Sequence, residues 1–186
     1  MSLTPDKNFY SIADQVYVNL AEETISPENP QDYDDILKIS GSSDVSVKNC
    51  IINPNGGNRE DGVDIMRESK YIQFYNTKVG CGNKYGFTIK GGSDCVSLVD
   101  VVITNTRGKE GVDIDIGNYA SVCPDAKTGT VTLDNVTRDG YDGVVTVRVG
   151  WAKRPVIKGG NVKVLFWQSL GLKIYVLCKR ITNRIP

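Results

Sequence analysis

The chain repeats itself at a short, nearly fixed interval. Aligned on the glycine that closes an acid-Gly or Tyr-Gly pair, Gly62, Gly86, Gly111 and Gly143 fall into register at separations of 24, 25 and 32 residues. Each glycine is followed by a short run: "VDIM" (63–66), "FTIK" (87–90), "VDIDI" (112–116) and "VTVRV" (145–149), with "LKIS" (37–40) as an earlier member. Val, Ile and Phe alternating at period two mark a strand. A second run follows in each repeat: "VSVKNC" (45–50), "IQFYNT" (72–77), "VSLVDV" (96–101) and "VTLDNV" (131–136). In register, Val45, Ile72, Val96 and Val131 form one apolar column, and Val47, Phe74, Leu98 and Leu133 form another. Asn49, Asn76, Asp100 and Asn135 then share one position, which suits a sharp bend because Asn and Asp tolerate left-handed backbone and bond locally. A third apolar position recurs at Ile52, Val79 and Ile103, before Gly-rich polar links.

A fixed period in this range dictates architecture, because one repeat cannot bury its own apolar face and must stack on its neighbours. Three short strands per turn with Asn, Gly and polar corners predict an all-β solenoid in which each rung pairs with the next. A helical solenoid would need helix formers at 3.6 spacing, and the middle of the chain has none. The pattern resembles the right-handed parallel β-helix of the pectin-lyase-like superfamily over about residues 35–149. That resemblance implies a single-stranded right-handed solenoid of five to six short coils. The expected organisation is an N-terminal strand and cap over 1–34, the β-helix over 35–164, and a C-terminal cap or interaction segment over 165–186. The tail "NVKVLFWQSLGLKIYVLCKRITNR" is the most apolar part of the chain. Lys163, Gln168 and Lys173 interrupt it, so no integral membrane segment is expected. A terminal strand and amphipathic segment closing the core is the preferred account, and the alternative is an interaction surface: contact between copies in a homo-oligomer, attachment to a neighbour, or the membrane plane.

Composition narrows the function classes. Lys plus Arg and Asp plus Glu both total 22, so no global field draws the chain to nucleic acid or an anionic membrane. Five cysteines without CxxC pairing, in a chain with no histidine, argue against a zinc centre or a disulfide framework and exclude a Ser-His-Asp triad. The first residues carry no basic region followed by an apolar one, so no secretory signal is expected, and the anticipated setting is cytoplasmic or virion-associated.

With apolar residues facing in, the intervening residues of the first strand face out and stack along the solenoid at one rung spacing. The glycine alignment gives one outward column of Lys38, Asp64, Thr88, Asp113 and Thr146, and another of Ser40, Met66, Lys90, Asp115 and Arg148. At the corner before the strand stand Asp61, Tyr85, Glu110 and Asp142. Paired carboxylates at such spacings suit glycoside hydrolysis. Acid oxygens could equally hold calcium while Arg148 or Lys90 serves a lyase as base or electrostatic stabiliser. Catalytic candidates are therefore Asp61, Asp64, Asp113, Asp142 and Arg148, and substrate-binding candidates Lys90, Glu110, Asp115, Tyr119 and Trp151, with Tyr141 as a further aromatic. Against these readings, Lys90, Asp115 and Arg148 on successive rungs would also form an alternating-charge ladder that only stabilises a sheet face.

"NREDGVDIMRES" is similar to the Asn-Thr-Asp-Gly segment of polygalacturonases, and the resemblance implies Asp61 as a catalytic carboxylate. The following Asp-Asp pair and His-Gly of that family are missing, and "TIK" (88–90) stands one rung too early for its Arg-Ile-Lys. Pectate lyases offer a looser likeness, implying calcium ligands and an arginine base that Asp64, Asp113, Asp115 and Arg148 would imitate. Two expectations follow: a β-helix that binds or cleaves polysaccharide on the acidic face of its first sheet, or a non-catalytic structural or adhesion module such as a phage-tail or surface-assembly component.

Overall fold

The computed structural model describes residues 7–105, 108–117, 127–140 and 142–166. They form a right-handed parallel β-solenoid of about five turns, with almost no helix. The first sheet stacks Tyr10–Ala13, Leu37–Ser40, Val63–Met66, Phe87–Ile89, Ile114–Ile116, Val145–Val149 and Val162–Phe166. The second sheet stacks Asn19–Ala21, Ser43–Lys48, Lys70–Tyr75, Asp94–Val99, Val131–Asp134 and Val156–Ile157. The third stacks Thr24–Ile25, Ile51–Ile52, Lys78–Gly80, Val102–Thr104 and Thr137–Arg138. Residues 10–25 thus contribute a strand to each of the three sheets, making a coil of their own.

The core is made of in-register apolar ladders. Leu37, Val63, Phe87, Ile114, Val147 and Val164 stack along the first sheet, and Val45, Ile72, Val96 and Val131 along the second. Ile25, Ile52, Val79 and Ile103 line the third. All of these are buried. Phe74 and Phe87 meet edge to face at 5.1 Å between ring centres, filling the middle of the stack.

The predicted bend between second and third sheets is present at each Asn or Asp. Asn49, Asn76, Asp100 and Asn135 have φ of 54°, 47°, 52° and 52°. Asn76 Nδ2 donates to Asn49 Oδ1 at 2.9 Å, and Asn135 Nδ2 to Asp100 Oδ1 at 2.7 Å, so the ladder runs in two linked pairs. A serine stack, unforeseen in the sequence reading, holds the corner between first and second sheets. Ser42, Ser69 and Ser93 are buried, and each donates its hydroxyl to a carbonyl two or three residues earlier, those of Ser40, Met66 and Lys90.

The coils that carry Ile114–Ile116 and Val145–Val149, the fourth and fifth counted from Leu37, depart from the glycine alignment. That alignment sets Val112 and Val145 level with Val63 and Phe87, whereas Ile114 and Val147 occupy those places. A 3-10 turn at Lys109–Gly111, with Glu110 at φ 59°, takes up the extra chain before Ile114–Ile116. A slip of two residues keeps every apolar side chain inside, so alternation cannot detect it. The aligned glycines also differ in kind. A Cβ on Gly62 would lie 2.3 Å from the Gly80 carbonyl oxygen, whereas Gly111 and Gly143 stand in open space and adopt left-handed backbone at φ 73° and 68°.

Candidate functional site

The register resets the outward columns. One column on the first sheet runs Ser11, Lys38, Asp64, Thr88, Asp115, Arg148 and Leu165. Asp113 is therefore not in the column of Asp64. The position level with the corner residue Asp61 is held by Asp35 in the preceding coil and by Tyr85 in the next. Glu110 and Asp142, predicted to continue that corner, lie in the turns ahead of the later strands instead. The charged residues fall into three groups.

The first group sits at the N-terminal half of the sheet. Asp35, Asp61 and Asp64 are all buried, and the ammonium groups of Lys38 and Lys90 lie against them. Lys90 Nζ is 3.0 Å from Asp64 Oδ1, and Lys38 Nζ is 3.5 Å from Asp64 Oδ2 and 3.4 Å from Asp35 Oδ2. Asp35 also accepts a bond from the Asp61 amide at 3.2 Å. Burial, then the charge of Asp64, pushes the Asp35 carboxyl up to about 7, although Lys38 and Lys90 oppose this. Asp61 is held well above its ordinary value, first by burial and then by Asp35 and Asp64. Burial works to lower Lys90, but Asp64 and then Asp61 outweigh it and hold the amine above its ordinary value. Asp61 Oδ1 and Thr88 Oγ1 are both buried without a hydrogen bond of full geometry, although Thr88 is near enough to Asp61 to favour its charged form. One ligand atom each of Asp35, Glu60 and Asp61 falls within a 4.8 Å cluster that could accept a cation such as calcium, with only Glu60 opening toward solvent. Asp35 was missed because its coil carries Ile36 where the later coils have the aligned glycine, and Glu60 because it stands one residue ahead of the corner position.

The second group is centred on Arg148. Its Nε and Nη2 grip Asp115 at 3.0 and 2.9 Å, its Nη1 reaches Glu110 at 2.8 Å, and its Nη2 also donates to the Tyr85 hydroxyl oxygen. The guanidinium lies over the Tyr85 ring, 5.1 Å from its centre. Hydrogen bonding to Asp115 outweighs partial burial and raises the pKa of Arg148 further. Burial, then Asp115, raises Tyr85. The predicted pairing of Asp115 with Arg148 on adjacent rungs is present, but Lys90 belongs to the first group and not to this column.

The third group corrects an expectation. Asp113 does not face outward: its side chain and that of Arg138 are both 0% exposed, and they form an ion pair inside the solenoid. Arg138 stands level with Ile103, at the end of the third-sheet apolar column. Its Nη2 donates to the Asn105 carbonyl at 2.6 Å, and Asp113 Oδ2 accepts from the Thr146 amide at 2.8 Å. The reason is the two-residue slip, which places Asp113 at the corner where the earlier coils have Gly62 and Gly86. Continuing the third-sheet column one rung past Ile103 would have found Arg138, and a cation there demands a buried acid.

The remaining candidates are dispersed. Asp142 accepts from the Val144 amide at 3.1 Å, as a turn residue does. Trp151 is 60% exposed beyond the far end of its strand, with Lys127 Nζ 5.6 Å from the ring centre. Tyr119, Tyr141 and the tail from residue 167 lie outside the described residues. Cys50, Cys81 and Cys95 are free thiols. No helix among the described residues is long and apolar enough to cross a membrane.

Fold and side chains together define a parallel β-solenoid whose first sheet is tied by ion pairs from rung to rung. No protein-family model matches the chain, and neither a curated protein nor a solved structure matches it.

Proposed function

We propose that the chain is a non-catalytic structural or adhesion module built on a pectin-lyase-like β-helix. One observation carries this reading: Asp64, Asp113 and Asp115 are each held by a lysine or arginine at ion-pair distance. A glycosidase carboxylate must touch the sugar or its attacking water, and these are covered by their partners. A lyase base must give up its proton to work, yet Arg148 is bound by Asp115 and Glu110 in a way that tightens its hold on the proton. Incubation with polygalacturonate, pectin, xylan and β-glucan, with and without calcium, is expected to release neither reducing ends nor unsaturated product.

A second reading has one observation in its favour. Burial raises the carboxyl of Asp35 to about 7 and that of Asp61 well above its ordinary value, the direction that a general acid in polysaccharide cleavage needs. Product released from any of these polymers, and lost in Asp61→Asn, would replace the first reading with this one.

A further inference from the structure

The corner between the first and second sheets carries a column that the ion-paired face does not involve. Tyr17, Asp44, Tyr71 and Cys95 stand on four successive rungs: Val16 pairs with Ser43, Ser43 with Lys70 and Lys70 with Asp94, each one residue earlier. All four are exposed. Tyr17 and Tyr71 are 83% and 60% exposed, among the most exposed large side chains described. All four residues adopt left-handed backbone, with φ of 62°, 54°, 56° and 55°.

Left-handed backbone is tolerated by Asp but is unfavourable for a bulky side chain, so tyrosine is a poor choice at this position for folding. The corner itself imposes the conformation, since Asp44 and Cys95 share it, so what calls for a functional explanation is the placing of exposed tyrosines at two of the four positions. Here the two rings project from rungs two apart, which is about 9.6 Å along the solenoid axis. An extended β-1,4-linked polysaccharide with twofold symmetry turns the same ring face outward at every second sugar, a repeat that matches two rungs. Asp44, on the rung between, offers carboxylate oxygens to hydroxyls of the intervening sugar.

We infer that Tyr17, Asp44 and Tyr71 form a ridge that binds an extended β-1,4-linked polysaccharide, the tyrosines stacking on alternate sugars and Asp44 accepting hydrogen bonds between them. The inference rests on the adhesion reading above and supplies its ligand class. It also moves the contact away from the first-sheet face.

Calorimetric titration of the full chain with cellohexaose, xylohexaose and tri-galacturonate tests it. Binding of a β-1,4-linked hexamer is expected, weakened about tenfold or more by Tyr17→Ala or Tyr71→Ala, retained in Tyr71→Phe, and unchanged in Tyr75→Ala. Tyr71→Asn is the decisive variant: it relieves the backbone strain, so its Tm should rise by a few degrees while binding falls. A Tyr71→Asn protein that melts lower, or a wild-type chain that binds neither hexamer, overturns the ridge. So does binding that survives Tyr17→Ala combined with Tyr71→Ala. Product formation in the polymer incubations would instead overturn the adhesion reading, and is scored independently of these titrations.

Discussion

Arg138→Met offers the sharpest test of how the solenoid tolerates charge in its core. Methionine keeps most of the stem volume of arginine in the third-sheet column below Ile103, so the packing change is small. What changes is electrostatic. Asp113 is left fully buried with the Thr146 amide and without its guanidinium, and the Asn105 carbonyl loses its 2.6 Å donor. Removing one partner of a buried pair costs about 3–5 kcal/mol, because the remaining charge is uncompensated. For a chain of this size that is a fall in Tm of roughly 6–20 °C. Asp113→Asn in the same background removes the stranded charge, so Arg138→Met with Asp113→Asn should recover most of the loss. Urea denaturation of the wild type, both single variants and the double variant, followed by circular dichroism, measures the coupling. A loss below about 1 kcal/mol for Arg138→Met, or a double variant no better than the worse single one, would refute the claim that the pair is a closed, dry unit.

Two further outcomes follow from the same geometry. Asp35 keeps its proton to about 7 when folded but releases it near 3.8 when unfolded, so between these values the folded chain binds more protons and stability falls as pH rises. Wild-type chain should therefore be more resistant to urea at pH 5 than at pH 8, and Asp35→Asn should flatten that slope; an unchanged slope would show that Asp35 is not the group responsible. Gly62→Ala would set a Cβ 2.3 Å from the Gly80 carbonyl and 2.9 Å from that of Gly86, and should cost about 2–4 kcal/mol in thermal or urea melts, since backbone on two rungs must shift; a change within 0.5 kcal/mol, about the noise of a surface substitution, would mean that the corner is looser than it looks.

Much of the fold was legible because a solenoid writes its geometry into the sequence once per turn. Val45, Ile72, Val96 and Val131 align by inspection and do stack, and the Asn and Asp bends follow from side chains that accept left-handed backbone. The site was less legible for a reason of symmetry. Side chains alternate with period two, so a shift of two residues keeps strand residues on their own faces while moving each charge to a different column, and it carries Asp113 off the strand into the corner. The glycines could not resolve this, because Gly62 is required by close backbone and Gly111 by its φ, two demands that look identical in sequence.

Charge itself holds the information that alternation lacks. Asp64 and Asp113 occur in the same Gly-Val-Asp-Ile string, yet one is covered by Lys38 and Lys90 on a sheet face and the other is sealed against Arg138 in the core. The difference is set by residues that lie 25 or 26 positions away in the chain and one rung away in space. Arg138 cannot occupy an apolar column without an acid beside it, and the two-residue slip of the fourth coil brings Asp113 to that corner. The fifth coil moves by the same two residues, so Asp115 stays level with Arg148 and the displacement seats Arg138 without breaking the other pair. On this argument the register of the fourth coil is fixed by its charges, and the 3-10 turn at Lys109–Gly111 is the place where the backbone absorbs the difference.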